Sequence, residues 1–164
     1  MITFRARQSS DSNYVRVTGQ NTGCWSSVGK RGGQQSLNLQ PSGCMSSSTI
    51  QHEFIHALGM YHMQSRPDRD QYVTIHFDNI QSGKEHNFQL LSDTLTFNTD
   101  YNARSFMHYP SWGFAIDTSK PTISSKVTSS LSPLFILFMK NLKNVLKSGL
   151  ICTNQCLGII FSFD

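Results

Sequence analysis

The sequence predicts an α+β domain, because short strand-like segments occupy its first 40 residues and one amphipathic helix follows them. Residues 2–5 and 14–17 are rich in the β-branched and aromatic side chains that strands favour. Residues 36–39 alternate polar and apolar side chains, which is typical of a half-buried or edge strand. A further strand is predicted over residues 72–77, beyond the helix.

The helix is predicted over residues 48–58. Ser48 and Gln51, three residues later, form a capping-box pattern at its start, and Gly59 is a typical residue just past its end. At 100° per residue the apolar side chains share one face, whereas two histidines lie on the opposite face. The apolar residues of the helix are Ile50, Phe54, Ala57 and Leu58.

The segment HEFIHALGMYH, residues 52–62, has the spacing of a catalytic zinc site. His52 and His56 project from one helical face, and the glycine after the helix allows a sharp turn that returns His62 as a third nitrogen ligand. Three imidazoles leave one coordination position for water, and Glu53 is placed to take the proton of that water. The pattern predicts one Zn²⁺ per chain and hydrolysis by a zinc-activated water.

A second motif, SFMHY, occupies residues 105–109, and its Met107 lies 45 residues after His62. A methionine between aromatic residues belongs more often to an ordinary core than to a functional site. After the pattern H-E-x-x-H-x-x-G-x-x-H, however, a downstream methionine turn is the feature that defines metzincin proteases. The two motifs together therefore favour a metalloprotease.

The stretch HEFIHALGMYHMQSRPDRD, residues 52–70, resembles the signature of the astacin family, and SFMHY resembles the astacin methionine turn. CWSSVG at residues 24–29, with GC at 43–44, resembles the internal disulfide loop of that family. The resemblance implies a metzincin, zincin-like catalytic domain with an N-terminal mixed sheet and an active-site helix. It covers residues 2–123.

The resemblance implies a role for each motif residue. Tyr109 would be a switchable fifth ligand whose hydroxyl helps to stabilise the oxyanion, and His108 would be a neighbour of the metal but not a ligand. Met107 would form an apolar floor below the metal. Glu53 would be the general base. The remaining zinc ligands would be His52, His56 and His62.

The chain has four cysteines, and the residues alone leave disulfides and a metal site open as alternatives. The resemblance implies a bond between Cys24 and Cys44, worth about 3 kcal/mol, and hence a secreted or extracellular protein. It leaves Cys152 and Cys156 without an obvious partner. It also implies that the strand over residues 36–39 is an edge strand that aligns an extended substrate.

The charged run after His62 has two interpretations, a solvated turn or an ion-pair network that supports the site. The resemblance favours the network, with no part in the chemistry. Its members are Arg66, Asp68, Arg69 and Asp70.

Residues 124–164 do not match the family, so the sequence predicts a catalytic domain over 2–123 and an atypical tail, with a C-terminal lobe that is largely atypical or missing. The domain would lack its N-terminal start, and we expect no signal peptide or pro-segment within this chain. Met63 stands where astacins carry a glutamate that pairs with the new N-terminal ammonium.

The composition limits the possible partners. The net charge is +4 and the basic residues are scattered without interleaved aromatic residues, so we do not expect nucleic-acid binding. The only strongly apolar run, residues 131–139, is too short to span a membrane. We expect protein or peptide substrates, and no particular oligomeric state is predicted.

Two alternatives to an active zinc endopeptidase remain open. The first is a truncated, non-catalytic zinc-binding product that acts by binding or does not fold stably. The second is a cytosolic metallopeptidase with reduced cysteines.

Overall fold

The computed structural model describes residues 2–126 and 158–163. These residues form two compact units, one of residues 2–60 with 158–163 and the other of residues 61–126. Cys152 and Cys156 lie outside the described residues. The elements are β1 (Ile2–Ala6), β2 (Tyr14–Thr18), β3 (Cys24–Ser26), β4 (Gln34–Leu39), α1 (Ser47–Ala57), β5 (Val73–Ile75), β6 (Ile123–Ser125) and β7 (Gly158–Phe163).

The first unit contains a five-stranded mixed sheet in the order β1-β7-β2-β4-β3. Strands β2 and β4 are parallel, with Tyr14 opposite Gln34, and the other pairs are antiparallel. The mixed sheet implied by the astacin resemblance is therefore confirmed. Strand β7, which comes from the predicted tail, lies between β1 and β2 in this sheet. The domain boundary near residue 123 stays a prediction.

The position of β4 contradicts one expectation from the sequence. Residues 36–39 were expected to form an edge strand that aligns substrate, but β4 lies between β2 and β3. The polar residue that suggested a solvent-facing side, Asn38, has no exposed surface. In the described part of the sheet, β3 is the strand beside β4 that pairs on one side only.

Helix α1 covers the sheet and carries part of the metal motif. It begins after Ser46, whose Oγ accepts a hydrogen bond from the Thr49 N–H at 3.1 Å. The predicted cap at Ser48 is wrong by two residues. Residues 46–48 are all serine, so the sequence alone does not show which of them caps the helix. The helix packs against β3 and β4. The shared core consists of Val15, Leu37, Leu39, Cys44, Ile50, Phe54 and Ala57.

A disulfide joins Cys24 at the start of β3 to Cys44 in the segment before α1. The bond closes a loop over 20 residues and ties the strand to the start of the active-site helix. The pairing implied by the astacin resemblance is therefore confirmed.

The second unit is built from short elements. Strands β5 and β6 pair antiparallel, and β5 is shorter than the predicted strand over 72–77 because a 3-10 helix begins at Phe77. The 3-10 helices are Met63–Ser65, Arg69–Gln71, Phe77–Asn79 and Glu85–Phe88. The core of the unit consists of Val73, Ile80, Phe88, Tyr101 and Ile123.

Among the described residues, no helix is long and apolar enough to cross a membrane.

Candidate metal centre

Helix α1 carries His52 and His56 one turn apart, with their rings edge-to-face and their centroids 4.6 Å apart. The Nδ1 of His56 lies 2.8 Å from the carbonyl oxygen of Met60. A carbonyl only accepts hydrogen bonds, so Nδ1 carries the proton and Nε2 keeps the lone pair that a metal needs. Burial lowers the pKa of His56, which favours this neutral form.

The turn after α1 depends on two glycines in unusual backbone conformations. Gly59 has a φ of +105° and its N–H donates to the carbonyl of His56 at 2.8 Å. Gly29 has a φ of +71°, and its N–H donates to the same carbonyl at 2.9 Å. Side chains other than glycine rarely adopt these conformations. The two glycines therefore end the helix sharply and direct the chain towards His62.

The metal-binding atoms of His52, His56 and His62 lie within 4.8 Å of one another. The structure thus brings together the three histidines that the sequence predicts as ligands. His56 is buried, and the other two are half-buried. Three converging imidazole nitrogens are a donor set that could hold a metal ion such as zinc.

Glu53 lies on α1 between the two histidines, and its side chain is only 5% exposed. Within the described residues its Oε2 has no hydrogen-bond partner. Burial raises the pKa of Glu53 from 4.5 to about 7. Buried carboxyl oxygens without a partner are uncommon in folded proteins, which makes Glu53 a candidate for a functional role.

The second motif residues lie in the second unit, beside the third histidine. The rings of His62 and Tyr109 have their centroids 4.6 Å apart, and burial raises the pKa of Tyr109. Met107 is buried, and its carbonyl accepts the Met63 N–H at 2.8 Å. This hydrogen bond holds the methionine turn against the residue that follows His62.

A family model described as Astacin, a peptidase family, matches residues 1–134, most of the chain. The chain belongs to the astacin family. It is 46% identical over 121 residues to meprin A subunit beta of Homo sapiens, covering 72% of this chain and 17% of that protein. It is 42% identical over 118 residues to high choriolytic enzyme 2 of Oryzias latipes, covering 72% of this chain and 42% of that protein.

Among solved structures, the astacin-family chain is similar to high choriolytic enzyme 1, a hatching enzyme zinc-protease from Oryzias latipes. The TM-score is 0.72 at 36% identity, over 84% of this chain and 72% of that chain. This similarity supports the predicted metzincin fold class. The chain spans less than half the length of the meprin and choriolytic relatives, so its own activity is argued below as a proposal.

The charged run of the astacin signature forms two ion pairs between near neighbours in sequence, and the expected support of the site by these residues stays a prediction. Arg66 binds both carboxylate oxygens of Asp68, at 2.9 and 2.7 Å. Arg69 pairs with Asp70 at 2.9 Å and is only 4% exposed. These residues stabilise the segment after His62 and take no direct place among the metal-binding atoms.

Two residues of the site were not singled out from the sequence. Gln64 follows the third histidine by two positions, and its Oε1 accepts the Tyr109 N–H at 3.1 Å. The hydroxyl of Tyr101 lies 2.8 Å from Nε2 of His108. Gln64 lies inside the signature stretch, but a glutamine in a charged run gives no signal of its own. Tyr101 has no motif around it that could have identified it.

Proposed function

We propose that this chain is a zinc-dependent endopeptidase that hydrolyses peptide bonds in protein substrates, with Glu53 as the general base. The observation that carries the proposal is the convergence of three histidines beside a buried carboxyl whose Oε2 has no hydrogen-bond partner among the described residues. When bound there, zinc makes water acidic and polarises the scissile carbonyl. His52, His56 and His62 would hold the ion through neutral imidazole nitrogens.

Glu53 is suited to move a proton at neutral pH. Burial raises its pKa to about 7 in the metal-free protein, and a cation held by the neighbouring histidines would favour the charged carboxylate that a general base requires. The carboxylate would take a proton from the attacking water and then give it to the leaving amine. Burial keeps bulk water from competing for that proton.

Tyr109 is proposed as the group that supports the developing oxyanion. Its ring lies beside His62, and burial keeps the phenol protonated, so that the hydroxyl can donate a hydrogen bond to the substrate oxygen. We also propose Tyr109 as a switchable ligand in the resting site. Replacement by phenylalanine should then lower kcat by about a hundredfold.

The test is cleavage of a denatured protein by the zinc-loaded chain. We expect cleavage that a chelator blocks and zinc restores. Glu53→Gln should lower kcat by about a hundredfold or more without removing zinc. Glu85→Gln alters the chain's other glutamate, which is exposed, and serves as the matched control. Zinc binding without any cleavage would refute the proposal and favour a non-catalytic zinc-binding product.

We propose that the protein acts in a secreted or extracellular setting, since the bond between Cys24 and Cys44 needs an oxidising compartment. Thiol alkylation of the native protein, followed by mass analysis, tests this. Both cysteines should be protected until a reductant is added. Free thiols at both positions in the native protein would instead support a cytosolic metallopeptidase.

A further inference from the structure

Both backbone polar groups of Tyr109 are bound by side chains of the same unit. The Tyr109 N–H donates to Gln64 Oε1 at 3.1 Å. Its carbonyl oxygen lies 2.7 Å from Nδ1 of His108, which must donate because a carbonyl only accepts. The Nε2 of His108 then accepts the hydroxyl of Tyr101 at 2.8 Å. Tyr109 is thus held on both sides of its Cα.

Gln64 is itself fixed in position. It has no exposed surface, and its own carbonyl accepts a hydrogen bond from the Arg69 guanidinium at 2.9 Å. The N–H of the preceding residue, Met63, binds the carbonyl of Met107. The orientation of the Gln64 amide is also determined, because the Tyr109 N–H requires an oxygen opposite it.

The arrangement has a cost that a purely structural residue would avoid. The Gln64 Nε2 is buried and has no hydrogen-bond partner among the described residues. A buried polar group left without a partner destabilises a protein, and an apolar side chain of similar length would remove that penalty. The single bond to Tyr109 is therefore the feature that accounts for an amide at this position.

We propose that Gln64 is a positioning residue for Tyr109, which it holds by the hydrogen bond to the backbone N–H. This inference rests on the proposed role of Tyr109 at the metal centre. With its backbone fixed, the tyrosine can move its hydroxyl only by rotating its side chain about χ1 and χ2. A shift of about 1 Å in that backbone would displace the hydroxyl from hydrogen-bonding distance of the substrate.

The first experiment measures the hydrogen exchange of the Tyr109 amide in ¹⁵N-labelled full-length protein, with and without zinc. We expect slow exchange in the unmodified chain, and exchange at least about tenfold faster in Gln64→Met, which keeps the length but lacks the acceptor. Gln64→Glu keeps an oxygen in the same place and should restore slow exchange. Fast exchange in the unmodified protein would overturn the proposal without any variant.

Asn79 offers a matched control in the same unit. Like Gln64, it is buried and accepts a backbone N–H with its side-chain oxygen, here that of Asp117 at 3.0 Å. Asn79→Leu should speed exchange at Asp117 and leave the Tyr109 amide unchanged. If Asn79→Leu exposed the Tyr109 amide as strongly as Gln64→Met does, the effect would be general loosening of the unit, and the proposal would be wrong.

The second experiment is a double-mutant cycle of the zinc-loaded chain. Gln64→Met should lower kcat by about tenfold to a hundredfold with little change in KM, because the hydroxyl acts in the transition state. In a Tyr109→Phe background the same substitution should lower kcat by less than about twofold, since no hydroxyl remains to be positioned. Equal losses in both backgrounds would refute the positioning role.

The two experiments separate the failure of this inference from the failure of the proposed function. Slow exchange that depends on Gln64, in a chain that cleaves no substrate, would refute the endopeptidase and with it any positioning role in catalysis. If the protein is active but Gln64→Met changes neither the exchange rate of the Tyr109 amide nor kcat, the proposed endopeptidase activity stands and the proposed role of Gln64 is wrong.

Discussion

Glu53→Gln is expected to make the metal-free protein more stable at pH 8 while it removes the proposed general base. The carboxyl is buried with Oε2 lacking a partner in the described part of the chain, and burial raises its pKa from 4.5 to about 7. A raised carboxyl pKa means that the folded state holds the proton more tightly than the unfolded state does. Below pH 4.5 the Glu53 carboxyl therefore does not lower the free energy of unfolding. Its destabilising contribution develops as the pH rises from there through about 7.

The size of the effect follows from the shift. A change from 4.5 to about 7 corresponds to about 3 kcal/mol at 1.36 kcal/mol per pKa unit. The neighbouring His52 and His62 are only half-buried, so solvent beside them screens part of the charge and we expect a difference of about 2 kcal/mol. Glutamine has the same shape as glutamate but carries no charge, so the variant avoids this penalty at every pH.

The assay is urea unfolding of the zinc-free protein at pH 5 and pH 8. The free energy of unfolding of Glu53→Gln should exceed that of the unmodified chain by about 2 kcal/mol at pH 8 and by little at pH 5. Glu85→Gln should change stability by less than about 0.5 kcal/mol at either pH. A variant that is equally stable or less stable at pH 8 would show that the Glu53 carboxyl is not strained by burial.

Three further outcomes are expected. Zinc at a hundred times its Kd should stabilise the chain by about 2.7 kcal/mol, and His52→Asn should lose most of this in thermal melting. Replacing Cys24 and Cys44 together by serine should lower the free energy of unfolding by about 3 kcal/mol, measured in urea. Asp68→Asn should cost at most about 1 kcal/mol at pH 7, because hydrogen bonds from Arg66 hold the pKa of Asp68 below its usual 3.8. That contribution should disappear as the pH falls through the lowered pKa.

Each of these outcomes has a result that would contradict it. Unchanged zinc stabilisation in His52→Asn would remove that residue from the ligand set. A serine pair as stable as the unmodified chain would show that the loop over residues 24–44 needs no covalent closure. An Asp68→Asn penalty that persists at pH 2 would come from packing and not from the charge.

The metal motif could be predicted because its geometry is local. His52 and His56 are separated by one helical turn, and this spacing alone sets them on one face whatever the rest of the fold is. The sharp turn at Gly59 is equally local, since its φ of +105° depends on the residue type. The position of Glu53 follows from the same helix.

The place of β4 could not be predicted in this way, because it depends on which strands become its neighbours. Asn38 looked like a solvent-facing residue, but its amide group is hydrogen-bonded to β2 and to the loop between β2 and β3. Its Oδ1 accepts from the Thr18 hydroxyl at 2.7 Å, and its Nδ2 donates to the carbonyls of Gln20 at 2.9 Å and Gly23 at 2.7 Å. Burying a polar side chain costs little free energy when its hydrogen bonds are made within the protein. Alternating polar and apolar residues then do not show which face of the strand is exposed.

The contact between the methionine turn and the segment after His62 also could not be predicted from short-range sequence patterns, since Met107 lies 45 residues after His62. In the structure this connection depends on the Met63 N–H bound to the Met107 carbonyl and on the Gln64 side chain bound to the Tyr109 N–H. The bond between Met63 and Met107 involves only backbone atoms, so the residue types at these two positions do not predict it.

Met63 replaces the glutamate of the astacin signature, and the hydrogen bonds around the methionine turn show what this replacement leaves intact. The bond from Met63 to Met107 uses a backbone N–H, which every residue except proline supplies. The Met63 side chain packs against the core of the second unit, with Sδ 3.9 Å from a nitrogen of Arg66. The segment after His62 is also anchored by Gln64, whose carbonyl binds Arg69. In this chain, therefore, no ionic group at position 63 is needed to hold the methionine turn beside the third histidine.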